Sequence, residues 1–140
     1  MVIYAQDIMR RVNNTVQGNL TARQAAKLMA NDQTGFLIVK LDNGRSGIIT
    51  EWDIMSKVVA LDLDPNKVLL SDIMSVNVIN VDPRTPTEKV AEIMNDRNIR
   101  RLPVVENGKI VGVVTSKDIL RIFKDYMDNI TEVVSKFGKF

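Results

Sequence analysis

Apolar and polar positions change period along the chain in a fixed order, and the order occurs twice. A short extended stretch, Asn14–Val16, leads through a polar turn to Thr21, after which Ala26 and Met29 fall at helical spacing. This predicts a helix over Thr21–Asn31 with Thr21 at or near its N-cap. Two runs rich in β-branched and apolar residues follow, Phe36–Leu41 and Arg45–Thr50, on either side of Asn43-Gly44. Asn-Gly between such runs predicts a β-hairpin. A second helix, Glu51–Leu61, opens through Thr-x-x-Asp and stops at Asp62-Leu63-Asp64-Pro65-Asn66, a Pro-containing linker. The pattern then restarts. It runs through an extended stretch at Val78–Val81 and a helix over Thr87–Asp96 carrying Ala91, Ile93 and Met94. Strands Leu102–Glu106 and Lys109–Thr115 follow around Asn107-Gly108, and then another helix. Ile119, Ile122, Phe123, Tyr126, Met127, Ile130, Val133, Val134 and Phe137 recur at spacings of three and four, so this last helix extends well beyond the repeat with an apolar stripe. The stripe has two readings, a cover for the domain's own core or a dimer contact.

The two halves align residue by residue. Asp7-Ile8-Met9 returns as Asp72-Ile73-Met74, and Gly47-Ile48-Ile49-Thr50-Glu51-Trp52-Asp53-Ile54 as Gly112-Val113-Val114-Thr115-Ser116-Lys117-Asp118-Ile119, at a constant offset of 65 residues. Val16/Val81, Met29/Met94 and Val39/Val104 keep that offset, while the hairpin turns are displaced by one residue. Two copies are too few for a solenoid. Halves of about 60 residues are marginal alone, which favours two units packed on each other. The predicted fold class is α+β: two β-α-β-β-α repeats around a pseudo-twofold axis, with a C-terminal helical extension. The predicted boundaries are 1–61 for the first repeat, 62–67 for the linker, 68–125 for the second repeat and 126–140 for the extension.

Composition narrows the chemistry. The chain contains no cysteine and no histidine, which removes disulfides, thiolate and His-dependent catalysis and the usual zinc sites. A net charge of +2 is too mild to indicate nucleic acid by itself. No apolar run reaches the about 18–20 residues of a membrane span, and the N-terminus is unlike a signal peptide. The expectation is a cytoplasmic protein that is not an enzyme. It has no nucleophile–base constellation, no P-loop and no cluster of metal ligands.

The ordered motifs, and above all Gly-h-h-h-Thr-x-x-Asp closing each half, resemble the CBS-domain family in its tandem form, the Bateman module, over about residues 5–125. The second copy matches better, through Ile99-Arg100-Arg101-Leu102-Pro103-Val104-Val105 and the run from Asn107 to Leu120. The first departs at Ile38, where the family commonly has proline, and has Gly35-Phe36 where the second has Arg100-Arg101. The resemblance implies a regulatory module with two clefts that bind adenosyl compounds, AMP, ADP or ATP most often and sometimes S-adenosylmethionine or a dinucleotide. It also implies a homodimer and, because the chain leaves no room for an effector domain, a separate effector protein. No cofactor is required; an adenine nucleotide is the expected regulatory ligand.

Within that frame the candidate residues have definite chemistry. Asp53 and Asp118 lie in the first turn of a helix, and a carboxylate can accept hydrogen bonds from both hydroxyls of a ribose. Thr50 and Thr115 add a hydroxyl and the free N–H groups of a helix start beside the sugar or its phosphate. The competing reading is that Thr-x-x-Asp is only a helix cap. Arg100 and Arg101, beside Pro103, offer guanidinium forks suited to phosphate. Consecutive strand residues face opposite ways, so at most one of the two points into a given cleft. By the family's crossed arrangement, the Asp118 cleft draws on Asn14, Thr34 and Gly35, and the Asp53 cleft on Ile79 and Ile99. Asp118 is then the tighter phosphate site, because Phe36 occupies the Arg101 position in the first copy. Trp52 has a stacking role or a place at a dimer contact, and Arg10-Arg11 reads as a solvated face. The alternative to a nucleotide sensor is a ligand-independent dimerisation module with degenerate clefts. Nucleic-acid binding is disfavoured, since no helix-turn-helix, RNP string or aromatic platform is present.

Overall fold

A computed structural model describes residues 2–12 and 15–137. The elements run α1 (Ala5–Ile8), β1 (Arg10–Arg11), β2 (Val16–Gln17), α2 (Ala22–Asp32), β3 (Phe36–Lys40), β4 (Ser46–Thr50), α3 (Glu51–Ile54), α4 (Leu70–Ile73), α5 (Thr87–Arg97), β5 (Arg101–Glu106), β6 (Lys109–Thr115) and α6 (Ser116–Phe137). The architecture is mixed α+β, with two three-stranded sheets ordered β2-β3-β4 and β1-β6-β5.

Local sequence sets the ends of these elements. Thr21 caps α2 through a capping box: its Oγ1 accepts from the Gln24 N–H at 3.2 Å, and Gln24 Oε1 accepts from the Thr21 N–H at 2.9 Å. α5 begins instead after Pro86, with no side-chain cap, because proline's fixed φ presets the entry. Both helices end on a left-handed residue, Gln33 at φ 52° and Asn98 at φ 51°. The predicted closing helix Glu51–Leu61 is α-helical only to Ile54 and continues as a π-helical stretch, Met55–Val59.

The one-residue displacement between hairpins is a difference of turn type. Asn107 and Gly108 both have positive φ (52° and 76°), the two-residue turn that matches strand twist. In the first hairpin Leu41 N–H donates to Arg45 O at 2.8 Å, enclosing three residues with only Gly44 at positive φ (80°). Strand pairing otherwise keeps the offset. Val16 lies parallel beside Val39, and Val81 lies parallel beside Val104.

The chain folds as two compact units that interleave in sequence: Val12–Ile79 with Asn107–Ile110, and Met1–Arg11 with Asn80–Glu106 and Val111–Phe140. The packing units therefore differ from the sequence repeats, because the leading segments are exchanged. Ser75 bridges Ile48 in the first-repeat unit, and Arg10 pairs with Val113 in the second-repeat unit. Likewise Leu69 bridges Thr21, and Tyr4 bridges Pro86.

The cores follow the exchange. Leu70 and Ile73 are buried with Ala25, Met29, Val39 and Ile49, and Ala5 is buried with Val90, Met94, Val104 and Val114. The motif glycines accommodate the crossing segment. A Cβ on Gly47 would stand 2.6 Å from Ser75 O, and one on Gly112 would stand 3.0 Å from Arg10 O and collide with Met9.

Candidate functional site

The two Thr-x-x-Asp constellations sit where a strand turns directly into a helix, β4 into α3 and β6 into α6. In the first, Asp53 is 7% exposed. Its Oδ2 accepts from the Thr50 N–H at 2.8 Å and from Thr50 Oγ1 at 3.0 Å, while Asp53 N–H donates back to Thr50 Oγ1 at 3.3 Å. Asp53 Oδ1 pairs with Lys57 Nζ at 3.0 Å, and that ammonium also donates to Ile73 O at 2.9 Å.

In the second, Asp118 is completely buried. Its Oδ2 takes the Thr115 N–H at 2.8 Å and Oγ1 at 2.9 Å. Its Oδ1 is shared by Arg121 Nη2 at 3.0 Å and Arg10 Nε at 3.5 Å. Both acids thus close a reciprocal cap with one oxygen and hold a cation with the other. The cap is realised in both copies, and a diol reaching Asp118 must compete with two guanidinium groups for Oδ1.

Three of these cations were absent from the sequence-based site. Lys57 and Arg121 stand four and three residues after their acids, a spacing that signals a helical ion pair. Arg10 lies 108 residues from Asp118, and only the segment exchange brings it there. Arg10 and Arg11 are both exposed, as a solvated face requires, and Arg10 in addition reaches the buried acid with its Nε.

The remaining candidates divide between the units. Arg100, Arg101, Pro103 and Ile99 share a unit with Thr115 and Asp118, whereas Thr34, Gly35 and Ile79 share one with Thr50 and Asp53. Asn14 lies outside the described residues. Arg100 is exposed, and its carbonyl accepts from the Ser116 N–H at 2.9 Å, which ties it to the first turn of α6. Gly35 does the same for α3 through Glu51 N–H at 2.9 Å. Arg101 is half-buried at the start of β5. Pro103 is buried, with its carbonyl accepting from Val81 N–H at 3.0 Å. Thr34 Oγ1 donates to Phe36 O at 3.4 Å. Ile99 packs against the second core, while Ile79 and Trp52 are exposed.

A depression of about 160 Å³ beside β2, lined by Gln17, Gly18, Asn19, Leu41, Asp42 and Ser71, contains none of the candidates. It is smaller than the about 300–1,000 Å³ of small-molecule sites. Among the described residues no helix is long and apolar enough to cross a membrane, and no cluster of His, Cys, Asp and Glu could hold a metal ion.

Comparison with known proteins matches the CBS domain twice, over residues 5–60 and 70–125. The CBS domain pair of protein MJ0100, solved in complex with 5′-methylthioadenosine and S-adenosyl-L-methionine, superposes with a TM-score of 0.74 at 34% identity, covering 86% of this chain and 99% of that one. The hexameric CBS-CP12 protein from bloom-forming cyanobacteria gives a TM-score of 0.77 at 35% identity, covering 86% of this chain and 67% of that one. Homoserine O-acetyltransferase of Methanohalobium evestigatum is 35% identical over 125 residues, 88% of this chain; the chain spans 24% of that enzyme's length.

Proposed function

Because the chain belongs to the CBS-domain family, we propose that it is a regulatory module that binds an adenosyl compound and passes its state to an effector. The observation that carries this reading is the twice-repeated strand-to-helix junction holding a threonine and a buried acid, with Arg100 and Arg101 at the head of the neighbouring strand in the second-repeat unit. Ligand is held chiefly by Thr115 and Asp118, and Arg100 and Arg101 favour a phosphate-bearing form such as AMP, ADP or ATP. Thr50 and Asp53 form the lesser site, since Gly35 and Phe36 supply no charge there. The adenosyl ligands of the MJ0100 pair support the ligand class. The protein acts as a cytoplasmic homodimer, and the ligand shifts its conformational equilibrium by preferring one arrangement of the repeats.

A second reading, an assembly module without ligand, is favoured by one observation. Every oxygen of the Asp118 carboxylate already has protein partners. Isothermal titration with AMP, ADP, ATP, NAD and S-adenosylmethionine separates the two. The sensor binds at least one of them, loses that binding in Asp118→Ala and Asp118→Asn, and keeps most of it in Asp53→Ala. Circular dichroism on each variant guards against loss of fold. Binding to none of the five sinks the sensor and leaves the assembly module.

A further inference from the structure

α6 is 22 residues long, and every residue from Phe123 to Phe137 is exposed. A stretch of that length is marginal as a lone helix in water. Its apolar residues nevertheless keep a strict heptad: Ile119, Phe123, Tyr126, Ile130, Val133 and Phe137 alternate spacings of four and three, the seam of a coiled coil. Leu120, Met127 and Val134 recur every seventh residue along one flank of that seam. The ion pairs Lys124–Asp128 (2.8 Å) and Glu132–Lys136 (3.4 Å) lie off the seam.

We propose that α6 pairs antiparallel with the α6 of a second copy of this chain, with the two-fold axis near Asp128. The proposal rests on the homodimer of the reading above and names its contact.

Three features select this occupant and this direction. Charge is the first. The exposed charges at the start of the helix are Lys117, Arg121 and Lys124, and those of its later part are Asp125, Asp128 and Glu132, opposed only by Lys136. An antiparallel pair about Asp128 sets Lys124 level with the partner's Glu132 and opposes the helix dipoles, whereas a parallel pair aligns acid with acid and base with base. Size is the second. Antiparallel layers place Phe123 on the partner's Val133 and Tyr126 on the partner's Ile130, so each layer joins one aromatic ring to one branched aliphatic side chain. Parallel layers would put Phe123 on the partner's Phe123. The flank is the third. In an antiparallel pair it faces its own copy, so Met127 meets the partner's Met127, while in a parallel pair Val134 would face the partner's Asn129.

The area is sufficient. Seven side chains, those of Phe123, Tyr126, Ile130 and Val133 with the three of the flank, are each 38–65% exposed. Together they present on the order of 800 Å² per copy, what each partner gives to a standard interface.

The absence of native cysteine makes the test direct. The full chain carrying Phe123→Cys with Val133→Cys is oxidised mildly and compared with each single variant, with mass in solution measured by light scattering. The expected result is a covalent dimer from the double variant, little from either single variant, and self-association weakened about 100-fold in Phe123→Asp with Ile130→Asp. A covalent dimer from Phe123→Cys alone, a dimer that survives the Asp pair, or a monomeric parent chain each overturns the proposal. Titration of the same samples with ATP and S-adenosylmethionine keeps the two readings apart, because a chain that cross-links without binding either ligand retains the seam and loses the sensor.

Discussion

Gly112 and Arg10 approach so closely that a Cβ at position 112 would stand 3.0 Å from the Arg10 carbonyl oxygen. The contact explains two motifs at once. The glycine of Gly-h-h-h-Thr admits the exchanged segment, and the methionine of Asp-Ile-Met lies over it. Gly112→Ala is therefore expected to destabilise the protein by about 1–3 kcal/mol, the cost of overpacking. Gly47→Ala should cost at least as much, because its 2.6 Å neighbour is the Ser75 backbone oxygen, which cannot rotate away. Thermal melts of both variants check the size and the order; unchanged melting temperatures would contradict the exchange.

The buried Asp118 carboxylate predicts a non-additive pair of substitutions. Arg10→Ala or Arg121→Ala leaves one guanidinium on Oδ1, and each should cost about 1 kcal/mol. Removing both leaves a buried charge with only its cap and should cost about 3–5 kcal/mol. A double-mutant cycle by urea denaturation measures the coupling, and simple additivity would show that the two arginines do not share the acid.

Ligand choice tests the phosphate assignment. One of the two variants Arg100→Ala and Arg101→Ala should weaken ATP by about tenfold or more, a loss of about 1.5–3 kcal/mol for a charged hydrogen bond. The same variants should leave S-adenosylmethionine and 5′-methylthioadenosine nearly unchanged, because neither carries a phosphate. Equal losses for all three would take both arginines out of the phosphate role.

One residue is expected to improve on replacement. Gln33 caps α2 in the left-handed region at φ 52°, where its counterpart is Asn98. Gln33→Gly should stabilise by about 0.5–1 kcal/mol, since glycine escapes the Cβ penalty and gives back part of the gain as unfolded-state entropy. A lower melting temperature would mean that the Gln33 side chain contributes contacts outweighing its backbone strain.

Much of this fold was legible because its signals are local. The Thr21 cap, Asn107-Gly108 and the apolar run Phe36–Val39 each act within a few residues, and the 65-residue offset sets the order of elements twice. The exchange of leading segments was not legible. Nothing near Arg10 announces Asp118, and nothing near Ser75 announces Ile48. The π-helical stretch at Met55–Val59 also escaped, because its residues suit an α-helix equally well. Of the two strand-to-helix junctions, the Thr–Asp pairs are readable from their motif, and Lys57 and Arg121 are within reach of the helical spacing rule. Arg10 could be placed only by tertiary structure.

Exchange also sets an order of assembly on the ribosome. The partners of Leu70, Ile73 and Ser75 have all been synthesised by the time these residues emerge, so the first core is complete in sequence once Ser75 is made. Tyr4, Ala5 and Arg10 appear first yet must wait for Pro86, Val90 and Val113 before they are seated. The Tyr4–Arg10 segment is thus made before the first core and seated after it. An extension fused ahead of Tyr4 should therefore burden the second core and not the first, whose buried residues all lie between Ala22 and Ile73.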